Sequence, residues 1–104
     1  MKHKPVIPRA LALQDVEDAV TYLMQQQASD AAFKLIDILE LAYAYIGKNA
    51  ATGSTRYAHA LDLLGLRTWP LTGHPYLIFC VEQDTHIDVW RVLHMNRDIP
   101  QELQ

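Results

Sequence analysis

Apolar residues recur at Leu13, Val16, Val20 and Leu23, with Asp15, Glu17 and Asp18 between them. This spacing predicts a helix with one core face and one wet face. A short extended segment, Lys4-Pro5-Val6-Ile7, precedes it, and Pro8 suits the helix entry because its missing N–H would be unpaired there. A second helical pattern follows Ser29-Asp30, which serve as its N-cap, and runs to Ile46, with Gly47 as the stop. It is apolar on two stripes. Phe33, Ile36, Leu39, Tyr43 and Ile46 form one, and Leu35, Ile38, Ala42 and Tyr45 form the other. So few residues join the two helices that they should form an antiparallel hairpin. One stripe can pack on a sheet and the first helix; the other is left for the first helix's far edge, a partner or solvent.

The period then changes. Lys48 to Ser54 reads as a loop, and Tyr57, Leu61 and Leu64 place a short third helix over Thr55–Leu64, closed by Gly65. Leu66–Trp69 is extended, and Pro70 to His74 is its turn. Pro75–Val81 is apolar at both alternating positions, so both faces of that strand need cover, which makes it the central strand. A polar corner at Glu82-Gln83-Asp84 leads into His86–Leu93. There, Ile87, Val89, Arg91 and Leu93 share one face, and His86, Asp88, Trp90, Val92 and His94 the other. Residues 97–104 read as a polar tail in which Pro100 limits regular structure. The fold class is α+β: one domain over residues 1–104, with a small antiparallel sheet packed against a helical hairpin. Its sheet is the C-terminal three-strand meander plus a short N-terminal strand.

Composition narrows the function classes. Half of the 104 residues are hydrophobic, which suits one modest core and excludes a disordered chain. No apolar run approaches the roughly 20 residues that span a bilayer, and no signal-peptide core follows Met1, so a cytoplasmic location without membrane contact is expected. Nine Lys and Arg against twelve Asp and Glu give a net charge of −3. Binding driven by counterion release from phosphates favours a basic chain, so direct sequence-specific nucleic-acid binding is not expected. Cys80 is the single cysteine and lies in the central strand, where it reads as a small core residue.

Three sets of residues are candidates for chemistry. Arg91, His94 and Arg97, with Arg67, could activate a ribose hydroxyl and stabilise a phosphate transition state if they converged. The structural reading is preferred: Arg91 pairs with an acid such as Asp88 or Asp98, and His94 and Arg97 close the C-terminus. His86 with Asp84 and Asp88 has alternate-position spacing of about 7 Å, too wide to close on one metal without another element. No metal or cofactor is therefore assigned. Trp69, Trp90, Tyr43 and Tyr45 sit in apolar contexts that suit a core or a protein interface better than a base-stacking platform.

Several segments carry a family resemblance when taken in order. They are Pro8-Arg9-Ala10-Leu11 with Asp15 and Tyr22, Leu66-Arg67-Thr68-Trp69-Pro70, Pro75-Tyr76-Leu77-Ile78-Phe79, and Arg91-Val92-Leu93-His94 with Arg97-Asp98-Ile99-Pro100. Together they resemble the ParE branch of the RelE/ParE toxins, the toxic halves of bacterial toxin-antitoxin pairs. The resemblance implies the same strand, helical hairpin and meander, with the N-terminal strand at the sheet edge. It implies a cognate antitoxin as partner and DNA gyrase as target, without a catalytic site. The RelE branch instead cleaves messenger RNA on the ribosome, using several Lys and Arg on the sheet and often a C-terminal Tyr or His. Here the strands from Leu66 to Leu93 hold no Lys and no Tyr follows Tyr76, which favours the ParE branch. If the chain were a ribonuclease, His94, Arg91, Arg97 and Arg67 would be its site. A third reading is an inert binding module of the same fold. The second helix's stripe of Leu35, Ile38 and Tyr45 is the expected antitoxin surface.

Overall fold

A computed structural model describes residues 3–103. The chain runs β1 (Val6–Pro8), α1 (Ala10–Gln25), α2 (Ser29–Lys48), a 3-10 turn at Ala50–Thr52, α3 (Arg56–Leu61), β2 (Leu66–Pro70), β3 (Tyr76–Glu82), β4 (Ile87–His94) and α4 (Ile99–Glu102). The four strands form one sheet in the order β1-β4-β3-β2. The meander β2-β3-β4 is antiparallel, and β3 is interior as its doubly apolar pattern requires. β1 joins the sheet edge beside β4, and theirs is the parallel pairing, from Val6↔Ile87 to Pro8↔Val89.

Each helix sets its buried face differently from the apolar spacing. In α1 the buried residues are Ala12 and Ala19, with Val16, Val20 and Leu23 packed beside them, while Leu13 is 58% exposed. Counting large side chains rotates the stripe, because small alanines lie where the helix meets the sheet. In α2 the buried line is Ala32, Leu35, Leu39 and Ile46, which draws on both sequence stripes, and Phe33 points outward. Gly47 does not end α2. It lies inside the helix, where a Cβ would stand 2.8 Å from the Lys4 carbonyl, and its own carbonyl accepts from Lys4 N at 2.9 Å. Glycine is needed there because the lead-in to β1 crosses the helix at contact distance.

β4 departs from regular alternation. Phe79 pairs with Arg91 but Cys80 pairs with Val89, so Trp90 is an extra residue on β4, a β-bulge. The bulge separates residues that the sequence placed on one face. Ile87 and Val89 join Val92 in the core under the helical hairpin, whereas Leu93 joins Leu66 and Phe79 on the opposite face. That opposite face is covered by α3 and α4. Tyr57 meets Phe79 edge-on at 5.4 Å, and Ile99 is buried. α3 is shorter than Thr55–Leu64 because the chain turns left-handed at Asp62, with φ 54°. Residues 97–103 are not an irregular tail: Pro100 sits in the first turn of α4, where its ring is compatible with a helix.

Candidate functional site

α1 crosses β4 just beyond the point where β1 ends, and this crossing positions Asp15. Its Oδ2 accepts from Arg91 Nε at 2.7 Å and its Oδ1 from Arg91 Nη2 at 2.7 Å, a two-pronged ion pair. The same carboxylate accepts the Val92 amide at 3.0 Å. On its other side, Arg91 donates from Nη1 to the Glu102 carbonyl at 3.1 Å and from Nη2 to Glu102 Oε2 at 3.2 Å. Arg97 Nη2 reaches the same Glu102 oxygen at 3.2 Å. The hydrogen bonding that Arg91 donates to Asp15 is the main reason that its guanidinium titrates even higher than usual. Arg91 is therefore paired, as the structural reading expected, but with Asp15 and Glu102 rather than Asp88 or Asp98.

Asp88 has other partners. Arg9 Nη2 lies 2.8 Å from its Oδ2, and His86 Nε2 is 3.4 Å from its Oδ1. Burial alone would raise this carboxyl, but the hydrogen bond and charge of Arg9, with help from His86, hold it below the usual carboxylate range. Among the described residues no group of three or more His, Cys, Asp or Glu is arranged to hold a metal ion.

His94 closes the strand end. Its Nδ1 accepts the Asn96 amide at 3.0 Å, its carbonyl accepts Arg97 N at 3.0 Å, and its ring meets Tyr76 edge-on at 5.2 Å. The Asn96 amide thus occupies the Nδ1 lone pair and leaves Nε2 as the ring nitrogen free for other contacts. Tyr76 ionises less readily than a free phenol, first through burial and then through nearby Tyr22. Between α1 and the end of β4 lies a cleft of about 500 Å³, lined by Asp15, Asp18, Tyr22, Tyr76, His94 and Arg97 among others. The structure thus gathers Arg91, His94 and Arg97. It does not bring Arg67 to them. Arg67 sits on edge strand β2, opposite Cys80, and donates to the Gly53 carbonyl at 3.0 Å. Asp15, Glu102 and Tyr22 complete the cluster. Sequence chemistry missed the first two as partners because they lie 76 and 11 residues from Arg91.

Among the aromatics, Trp69 belongs to the helix-side core and Tyr43 packs against it, while Trp90 packs beneath Arg9, whose guanidinium lies 5.0 Å from the ring. They form no shared platform. Burial pushes the Cys80 thiol up to about 12, with the Asp88 charge adding to it, so the buried sulfur stays protonated as a small core group.

A second recess, of about 550 Å³, runs between α2 and β2 and is lined by Ile38, Leu41, Ala42, Tyr45, Trp69 and Pro70 among others. Leu41 is 66% and Tyr45 53% exposed along its rim. Leu35 does not belong to this surface. It is 2% exposed and packed in the core, because α2 turns that side of the stripe toward the sheet.

The chain thus sets a helical hairpin over a sheet of order β1-β4-β3-β2, with an ion pair at the end of β4, and this is the RelE/ParE-like arrangement. Residues 6–99 match the family model of the ParE toxin of the type II toxin-antitoxin system, parDE, and the chain belongs to that family. The chain superposes on a structure described as the chromosomal ParDE TA system from P. aeruginosa with a TM-score of 0.73. That match covers 88% of this chain and 96% of the other at 15% sequence identity, a likeness of fold. No curated protein sequence matches. Among the described residues no helix is long and apolar enough to cross a membrane.

Proposed function

We propose that this ParE-family toxin arrests growth in the cytoplasm by binding DNA gyrase, performs no chemistry of its own, and is held inactive by a cognate antitoxin protein. The observation that carries the non-catalytic reading is the state of Arg91 and His94. Strand scission needs a base with a free lone pair and cations free to meet the phosphate. Arg91 donates from Nε, Nη1 and Nη2 to Asp15 and Glu102, and His94 Nδ1 already accepts a backbone amide. Arg67 points its guanidinium elsewhere.

The antitoxin reading draws on the family's description as one half of a type II pair. The apolar recess between α2 and β2 supports a contact with it there. Ile38, Leu41 and Tyr45 offer side-chain contacts of the kind that an amphipathic helix or an extended segment with aliphatic anchors recognises.

The test is to induce the toxin in bacteria without its antitoxin and follow DNA and protein synthesis by pulse labelling over the first minutes. DNA synthesis falling first is the expected result. Protein synthesis falling first would sink the gyrase reading and return Arg91, His94 and Arg97 to messenger RNA cleavage. No change in either would leave an inert binding module.

A further inference from the structure

The sheet blunts its outer edges by local means. On β2, the Leu66 amide donates to Leu63, Thr68 exchanges both its main-chain bonds with Ser54 at 2.9 Å, and Pro70 has no N–H. On the β1 side, Lys4 N is taken by Gly47, and Pro5 and Pro8 have no N–H. The lower half of β4 is covered by β1, through Ile87 N to Pro5 O and Arg9 N to Val89 O, both 2.9 Å. β1 ends at Pro8, and among the described residues no strand covers the upper half of β4 on that side.

The main-chain groups on that open half follow from the bulge. Met95 N donates to the carbonyl of Pro75, the residue before β3, so Arg91 and Leu93, in step with it, face β3, and Val92 and His94 face outward. Two of the four outward groups are filled: the Val92 amide by Asp15 and the His94 carbonyl by the Arg97 amide. The Val92 carbonyl and the His94 amide remain without a strand partner. They are the acceptor and donor that one residue of a parallel strand uses, the same pattern that β1 makes lower down. An antiparallel strand would need the Val92 amide, which Asp15 already holds.

We infer that the upper edge of β4 takes one extended segment of the antitoxin, running parallel to β4, with a single residue bridging the Val92 carbonyl and the His94 amide. This inference rests on the antitoxin reading above. The groups it uses open onto the cleft beside α1, whose wall offers exposed Leu11 and Tyr22 for the segment's apolar side chains. Partner recognition is by peptide backbone, as in strand addition to a sheet edge.

Amide hydrogen exchange on the toxin alone and on the co-expressed, co-purified toxin-antitoxin complex tests it. The His94 amide is expected to exchange at least tenfold more slowly in the complex. A second measurement compares antitoxin affinity of His94→Pro with that of His94→Ala, which loses the same imidazole but keeps the amide. The proline variant is expected to bind about tenfold more weakly, the order of one hydrogen bond. A complex in which the His94 amide exchanges at its free rate, or in which the two variants bind alike, overturns this inference alone. Failure to form any complex overturns the antitoxin reading and this inference with it.

Discussion

Asp15 accepts three hydrogen bonds, two from Arg91 and one from the Val92 amide, and so links α1 to the edge of β4. Removing it leaves a largely buried guanidinium with one acidic partner fewer and strips the Val92 amide of its acceptor. Breaking such a pair one-sidedly costs more than the pair contributes, because the remaining charge stays desolvated. Asp15→Ala is therefore expected to destabilise the fold by about 3 kcal/mol. Chemical denaturation with an unchanged m-value would measure this, and a loss under about 0.5 kcal/mol would refute it. The sequence placed Arg91 on a face with Ile87, Val89 and Leu93 and pointed to Asp88 or Asp98 as its partner, not to Asp15. The pairing depends on how α1 crosses the sheet, and no local spacing encodes a contact across 76 residues. Gly53 was equally opaque. It reads as a loop residue, yet a Cβ there would stand 2.7 Å from the Trp69 ring.

At the scale of elements, α2 carries two kinds of apolar residue that a sequence scale ranks together. Leu35 and Leu39 are core, whereas Leu41 and Tyr45 rim an open recess. Leu41→Asp and Tyr45→Asp are expected to abolish antitoxin capture while shifting folding stability by no more than about 0.5 kcal/mol, as exposed substitutions do. Affinity by calorimetry and melting by circular dichroism measure the two separately; unchanged affinity in both variants would remove the recess from the interface. Leu35→Asp would instead bury a charge and unfold the protein. The helices, the meander and the interior position of β3 were legible because hydrophobic period and turn residues are local signals. The bulge at Trp90 was not, since an inserted residue leaves each half of β4 with correct alternation and only the pairing with β3 reveals the slip. α4 was missed for a different reason: Ile99 gains its burial from Leu66, Phe79 and Leu93, which are distant in sequence.

The whole molecule places one sheet between a helical hairpin on one face and two short helices on the other, with Cys80 and Tyr43 in its helix-side core. Burial raises both groups, the thiol to about 12 and the phenol higher still. Each stays neutral in the folded state at a pH where the unfolded chain ionises it. Their contribution is thus complete below about pH 9, and stability falls as pH rises from there toward 12, by roughly 1.4 kcal/mol per unit for each ionising group. Cys80→Ala should flatten the first part of that fall in a series of denaturant midpoints against pH. An identical slope in the variant would assign the alkaline loss elsewhere. The blunted edges carry a consequence for the free toxin at high concentration. Two copies meeting along β1 or β2 find prolines and a Ser54 bridge where a growing fibril needs open amides. Along β1 and β2 the described edges therefore offer no continuous row of open amides by which one copy could extend the sheet of the next.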